Sequence, residues 1–128
     1  MVLLEIARAF GNPIQLASSW RRDNTDCQDW SFIVCQQGNV VVAVNLSRQG
    51  LTGVIPPSFA NLSDSKNLNL SGNNLRGSIP KSFTTLLLLE FLDLSYNNLS
   101  REVPIFPSKL KLNITNNPLL QSSQFLGE

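Results

Sequence analysis

Residues 68–80 read LNLSGNNLRGSIP, and this stretch decides the architecture. Leu68 and Leu70 alternate as in a short half-buried strand. Asn73 follows, then Leu75, Gly77, Ile79 and Pro80. The same spacing occurs earlier as Val44, Leu46, Gln49, Leu51, Gly53, Ile55 and Pro56, and later as Leu92, Leu94, Asn97, Leu99, Val103 and Pro104. Gln49, Asn73 and Asn97 are 24 residues apart, and a degenerate copy (Leu112, Ile114, Asn117, Leu119) follows after 20. A strand this short cannot bury its leucines alone, but stacked copies can share one core.

The pattern L-x-L-x-x-N-x-L is that of a leucine-rich repeat. It predicts an α/β solenoid, a right-handed superhelix with short parallel strands near residues 42–47, 66–71, 90–95 and 110–115. Each asparagine sits where the chain leaves its strand. Its amide has two donors and an acceptor, so it can satisfy backbone groups that the turn buries. Asn73, Asn97 and Asn117 are expected to form a ladder, which Gln49 only approximates. Chance leucines in a low-complexity region are the competing reading. Three copies in register, sharing Pro positions and most Gly positions, argue against it.

Composition agrees with one domain. The chain has 128 residues, 42% of them hydrophobic, and a net charge of +1. No run of charge points to nucleic acid or to a polybasic membrane surface. No apolar stretch approaches the length that spans a bilayer. Met1–Glu5 is too short and too quickly charged for a signal peptide, so a secreted protein would be represented here by a mature fragment.

Upstream of the repeats, Leu3, Ile6, Ala7 and Phe10 have helical spacing, and Gly11, Asn12 and Pro13 end that helix. A second helix, from about Pro13 to Trp20, is expected to turn Ile14, Leu16, Ala17 and Trp20 inward. Cys27 and Cys35 are the only cysteines, with Trp30 between them. The absence of histidine and of a third cysteine argues against zinc, and the spacing is not Cys-x-x-Cys. A structural disulfide, implying an oxidising compartment, is the better reading. It would contribute roughly 2 to 3 kcal/mol on the chain-entropy model. Two buried free thiols are the alternative.

Residues 1–38 therefore read as an N-terminal cap, 39–120 as about three and a half repeats, and 121–128 as a frayed tail. Gly53-Val-Ile-Pro56 and Gly77-Ser-Ile-Pro80 predict a second short sheet or extended edge beside the first. Arg101 stands at the third glycine position and is strained if that position requires φ > 0. Ser65 replaces an expected core leucine and predicts looser packing. Past Pro104 the shorter period leaves no room for a normal convex side, and Pro118, Leu119 and Leu120 cover the last coil in part.

The order of features is specific: a helix, Leu-Ala-Ser-Ser-Trp20, Cys27-x-x-Trp30, Cys35-x-x-Gly38-Asn39-Val40, then three repeats ending Val103-Pro104-x-Phe106, and Asn113-Ile-Thr-Asn116-Asn117-Pro118. The N-terminal part resembles the plant-type helical cap, whose usual glycine is Phe32 here. Over nearly its whole length the chain resembles the membrane-proximal extracellular repeat block of the plant transmembrane-kinase (TMK) subfamily of receptor-like kinases. The resemblance implies two repeat blocks around an irregular island, one membrane helix absent from this sequence, and a cytoplasmic serine/threonine kinase. It also implies a location on the extracellular side of the plasma membrane. Auxin signalling follows as an expectation, with a protein or peptide partner such as an auxin-binding protein.

No catalytic constellation, cofactor motif or metal set is visible. Without histidine, Ser-His-Asp and Cys-His arrangements are excluded. Asp23, Asp26 and Asp29 could hold calcium weakly, but a solvated loop suits them better. Five N-x-S/T sequons occur, at Asn45, Asn61, Asn69, Asn98 and Asn113. They favour a secretory route, although Leu-Asn-Leu-Ser is close to the repeat consensus itself. Asn61 is expected on the convex or turn side and to be modified most fully. Asn45, Asn69 and Asn113 are expected on the concave sheet face.

Outward strand positions form three rows: Ala43, Asn67, Phe91, Lys111; Asn45, Asn69, Asp93, Asn113; and Ser47, Ser71, Ser95, Thr115. Phe91 breaks the polar rule. With Asp93 and Tyr96 it forms a candidate partner-binding centre, although a single exposed ring requires no such explanation. Three functions fit: an extracellular recognition module, a structural spacer or dimerisation module, and a secreted inhibitor of wall-degrading enzymes. Inhibitors of that kind usually have many more repeats.

Overall fold

The computed structural model describes residues 2–121. Helix α1 (Val2–Ala9) and the single turn α2 (Ile14–Ala17) come first, followed by strands β1 (Ile33–Gln36) and β2 (Val40–Asn45). The coils then alternate between two sheets. Strands β4 (Asn67–Asn69), β6 (Phe91–Asp93) and β8 (Lys111–Asn113) extend the first sheet, in the order β1-β2-β4-β6-β8. Strands β3 (Thr52–Val54), β5 (Asn74–Gly77), β7 (Asn98–Glu102) and β9 (Leu119–Gln121) make the second, in chain order. Neighbours from β2 onward pair in parallel. The result is a leucine-rich repeat solenoid, with strands at the expected places but only three residues long in the later coils.

Between the sheets the repeat leucines are shut away from water. Leu68, Leu70, Leu75, Leu94 and Leu99 are fully buried, with Ile55, Ile79 and Val103 behind them. The last coil is more open, since Leu112 and Ile114 are only half-buried. On the convex side the first two full coils make short 3-10 turns, Pro57–Asn61 and Lys81–Thr85. Each starts directly after the proline of its Ile-Pro segment, Pro56 or Pro80, which stands at the N-cap in extended backbone, and the first also has Pro57 at its first helical position, where proline's fixed φ suits the turn. Each also buries a phenylalanine, Phe59 or Phe83. Phe10, Phe59 and Phe83 then meet edge to face at 6.2 Å per pair. This aromatic line ties α1 to two successive coils. No such turn forms after Pro104, in keeping with the shortened period.

The asparagine ladder is present. The Asn97 amide nitrogen donates to the carbonyls of Leu70 (3.0 Å), Leu94 (3.1 Å) and Ser95 (3.2 Å), and its oxygen accepts from Leu75 N–H at 3.1 Å. Asn73 and Asn117 repeat this one coil to either side. Gln49 reproduces a single rung, its side chain donating to Ser47 O at 3.2 Å.

The N-terminal segment departs from expectation in two respects. Helix α2 is one turn long, so it cannot present four residues to the core. Leu16 and Trp20 are buried, but Ile14 is 83% exposed and Ala17 is also exposed. The sequence reading also omits β1, which runs antiparallel to β2 with a register shift between Val34 and Cys35 and covers the open edge of the first sheet. Cys27 and Cys35 are joined in a disulfide, with Cα atoms 6.3 Å apart. Trp20 and Trp30 pack beside it, each indole N–H donating to a backbone carbonyl, Ser31 O and Asn24 O respectively.

The substituted glycine positions keep their backbone conformation. Arg101 holds φ 69°, against 88° at Gly53 and 78° at Gly77, so the strain expected of a side chain there is real. Phe32 likewise keeps a left-handed φ of 71°. At the other end, Gln121 belongs to β9, and the remainder of the expected tail lies outside the described residues. Pro118 and Leu119 are exposed while Leu120 packs against the core, so these residues cover the last coil in part.

Ser65 stands 24 residues before Leu89, and its hydroxyl is fully buried without a hydrogen-bond partner among the described residues. Ser65→Ala is expected to raise stability by about 1 kcal/mol, because it removes an unpaired polar group. Asn97→Ala is expected to cost about 3 kcal/mol, because it orphans one buried N–H and several carbonyls. Urea unfolding curves of the two variants check both values.

Candidate functional site

Pairing of β2, β4, β6 and β8 sets the concave face. Ala43 pairs with Asn67, Asn67 with Phe91 and Phe91 with Lys111; two residues on, Asn45, Asn69, Asp93 and Asn113 pair in the same order. Antiparallel β1 adds the exposed Val34 opposite Ala43, at the head of the first row. The inward positions between these rows are Val44, Leu68, Leu92 and Leu112, so the period of two holds across the sheet.

The second row is internally bonded. In each copy the Asn or Asp oxygen accepts from the backbone N–H and the hydroxyl of the residue two positions on. These lengths are 2.9 and 2.7 Å from Asn69 to Ser71, and 3.0 and 2.6 Å from Asp93 to Ser95. Asn45 with Ser47 and Asn113 with Thr115 repeat it. These side-chain-closed turns end β2, β4, β6 and β8 in the same way. The pairs Asn45/Ser47, Asn69/Ser71, Asp93/Ser95 and Asn113/Thr115 were visible in sequence as outward positions, three of the four also as sequons, but the bonds within each pair were not read. Asp93 supplies the one charge in its row.

Phe91 is 42% exposed, and the Lys111 ammonium lies 5.0 Å from its ring centroid, within cation–π range. Phe91, Asp93 and Lys111 line one shallow concavity, floored by Leu92 and bounded by Asn67 and Asn69. Tyr96 does not line it. Tyr96 is 63% exposed and has φ 55° in the turn beyond Ser95, in line with Arg48, Gly72 and Asn116, which are also left-handed. Of the three expected contact residues, the fold therefore brings Phe91 and Asp93 together, with Lys111 beside them, and sets Tyr96 apart at the strand end.

The other sequence-marked residues are dispersed. Asn61 ends the convex 3-10 turn and Asn98 begins β7, both exposed. In the N-terminal loop Asp23 pairs with Arg21 at 3.2 Å on the surface, while Asp26 accepts from Gln28 N–H at 3.0 Å. Among the described residues no group of three or more acidic or sulfur side chains is placed to hold a metal ion.

Comparison with known proteins agrees with this architecture. A family model described as leucine rich repeat matches residues 41–99. Receptor-like kinase TMK4 of Arabidopsis thaliana is 43% identical over 69 residues, which are 53% of this chain and 7% of that protein. Among solved structures, the Arabidopsis BIR3–SERK2 complex aligns with a TM-score of 0.77 at 26% identity, over 94% of this chain and 69% of that one. The ectodomain of the Arabidopsis receptor kinase HAESA, solved with an IDA peptide hormone ligand, aligns with a TM-score of 0.64 at 30% identity, over 94% and 24%. The chain has the leucine-rich repeat fold, and the proteins that it is similar to are plant receptor kinases. Within that class it is similar to the TMK receptor-like kinases, of whose length it spans about 7%.

Asp93 and the row asparagines hold their serine and threonine partners through the same oxygen. Asp93→Asn is therefore expected to keep the melting temperature while removing the charge. Asp93→Ala is expected to cost about 1 to 2 kcal/mol by stranding Ser95. Thermal melts of the two variants side by side check the contrast.

Proposed function

We propose that this chain is the membrane-proximal repeat block of a receptor-like kinase ectodomain, and that its concave face binds a protein or peptide partner over Phe91, Asp93 and Lys111. In this reading residues 1–38 close the N-terminal end of the core that residues 39–120 build. The kinase, which would supply the signalling activity, lies in a cytoplasmic part of the longer protein. The location is the outer face of the plasma membrane, as the likeness to receptor-kinase ectodomains implies. Auxin-related signalling, with an auxin-binding protein as the partner, is the finer form of the proposal and is supported by the TMK resemblance.

The observation that carries this reading is the exposed Phe91 ring on the concave face, flanked by one anion and one cation. An aromatic anchor between charges of both signs suits a partner with an apolar residue and complementary polar groups. HAESA was solved with a peptide hormone ligand, which supports a protein or peptide partner for this chain. A second reading, a spacer or dimerisation module, is favoured by the internal bonding of the second row, which leaves Asp93 and its neighbours less available to a ligand. Tyr96 enters the first reading as a rim contact.

Complete ectodomain carrying Phe91→Ser and Tyr96→Ser is expected to capture purified auxin-binding protein about tenfold more weakly, with its melting temperature nearly unchanged. Asp93→Asn, produced in a host that adds no N-glycans because the substitution creates an N-x-S sequon with Leu94 and Ser95, should weaken capture with a reduced salt dependence. Undiminished capture by all these variants supports the spacer reading. A large fall in melting temperature would instead assign the rings to the core.

A further inference from the structure

We propose that Asn61 carries an N-linked glycan whose first N-acetylglucosamine seats in a cleft at the N-terminal end of the solenoid, completing its wall. This rests on the extracellular reading above. The cleft has a volume of about 320 Å³. Its apolar walls include Leu3 of α1, Trp30 beside the disulfide and Val41 of β2, with Asn24 and Asp64 among its polar groups. The entire sequon Asn61-Leu62-Ser63 also lines it. A mostly apolar hollow with a few polar groups is the usual form of a small-ligand site.

The five sequons differ in their surroundings. Those at Asn45, Asn69 and Asn113 lie on concave strands, fall within the repeat consensus and spend their amide oxygens on the following hydroxyl. Asn61 lies outside that consensus, at the end of a convex turn, exposed and with its side chain free of hydrogen bonds among the described residues. In the next coil the residues matching Ser63 and Asp64 are Leu87 and Leu88, and no sequon occurs. The sequon and the cleft thus belong to the same coil.

An N-acetylglucosamine ring has an apolar C–H face and an acetamide with one methyl, one N–H and one carbonyl. The C–H face and methyl suit the Leu3, Trp30 and Val41 walls. The Asp64 carboxylate, which makes no hydrogen bond among the described residues, can accept from the acetamide N–H or a ring hydroxyl. Affinity for the free sugar need not be high. The bond to Asn61 makes the contact intramolecular, at an effective concentration set by a very short tether.

The test uses complete ectodomain secreted from a eukaryotic host that adds high-mannose glycans. Site occupancy is mapped, and melting temperatures are compared for the full glycan, the form trimmed to a single N-acetylglucosamine, and the Asn61→Gln and Ser63→Ala variants. The trimmed form should melt with the fully glycosylated protein, and both variants about 4 °C lower. Nuclear Overhauser contacts should join the acetyl methyl to the Val41 and Leu3 methyls. Equal melting of all forms, loss of the stabilisation on trimming, or absence of those contacts overturns the inference. If other sequons are occupied and Asn61 is bare, the inference alone fails; if none of the five is occupied, the extracellular reading fails with it.

Discussion

A buried side-chain amide between coils is the interaction on which the rest depends. Asn73, Asn97 and Asn117 each bind carbonyls of their own coil and of the coil before, and accept an N–H from that earlier coil. A coil must turn sharply on leaving its strand, and the turn strips backbone groups of their sheet partners inside an apolar core. Unpaired, each would cost on the order of 1 to 3 kcal/mol. One amide serves several of them and also fixes the spacing of adjacent coils. The parallel strands and the concave face they present follow from that spacing.

The fold was legible because the requirement recurs every 24 residues. Leucine alternation locates the strands, asparagine locates the turns, and Ile-Pro locates the start of the convex side. Arg101 could be flagged in advance as strained, since it falls at the glycine position of the period. The segment before Val40 has no period to read. There Ile14 and Ala17 looked inward by spacing alone, but a one-turn helix has no second turn to carry them to the core. Strand β1 was missed for a related reason. It pairs antiparallel with β2 to close an open edge, a need created by the sheet rather than by its own residues.

The candidate surface was legible in outline and not in detail. Period-two alternation gave the first two outward rows correctly, because parallel pairing preserves register from coil to coil, but in the third row, beyond the paired residues, Ser95 is buried. It could not show that Asp93 is tied to Ser95, or that Lys111 lies over the Phe91 ring. Both depend on side-chain torsions and on the distance between adjacent strands. Tyr96 was grouped with Phe91 by proximity in sequence, yet its left-handed backbone carries it past the strand end and out of the concavity. The line of Phe10, Phe59 and Phe83 escaped notice because only two of the three share the period.

A stack in which each layer touches only its neighbours behaves as a one-dimensional chain of coupled units. Cooperativity in such a chain is only as strong as its weakest junction, and the candidate for it is the coil in which a buried serine with an unpaired hydroxyl, Ser65, stands where the next coil has Leu89. Amide protons of the second coil and beyond can therefore exchange through openings that leave α1 and β2 intact. The molecule would then show two tiers of protection where a uniform stack of the same length would show one.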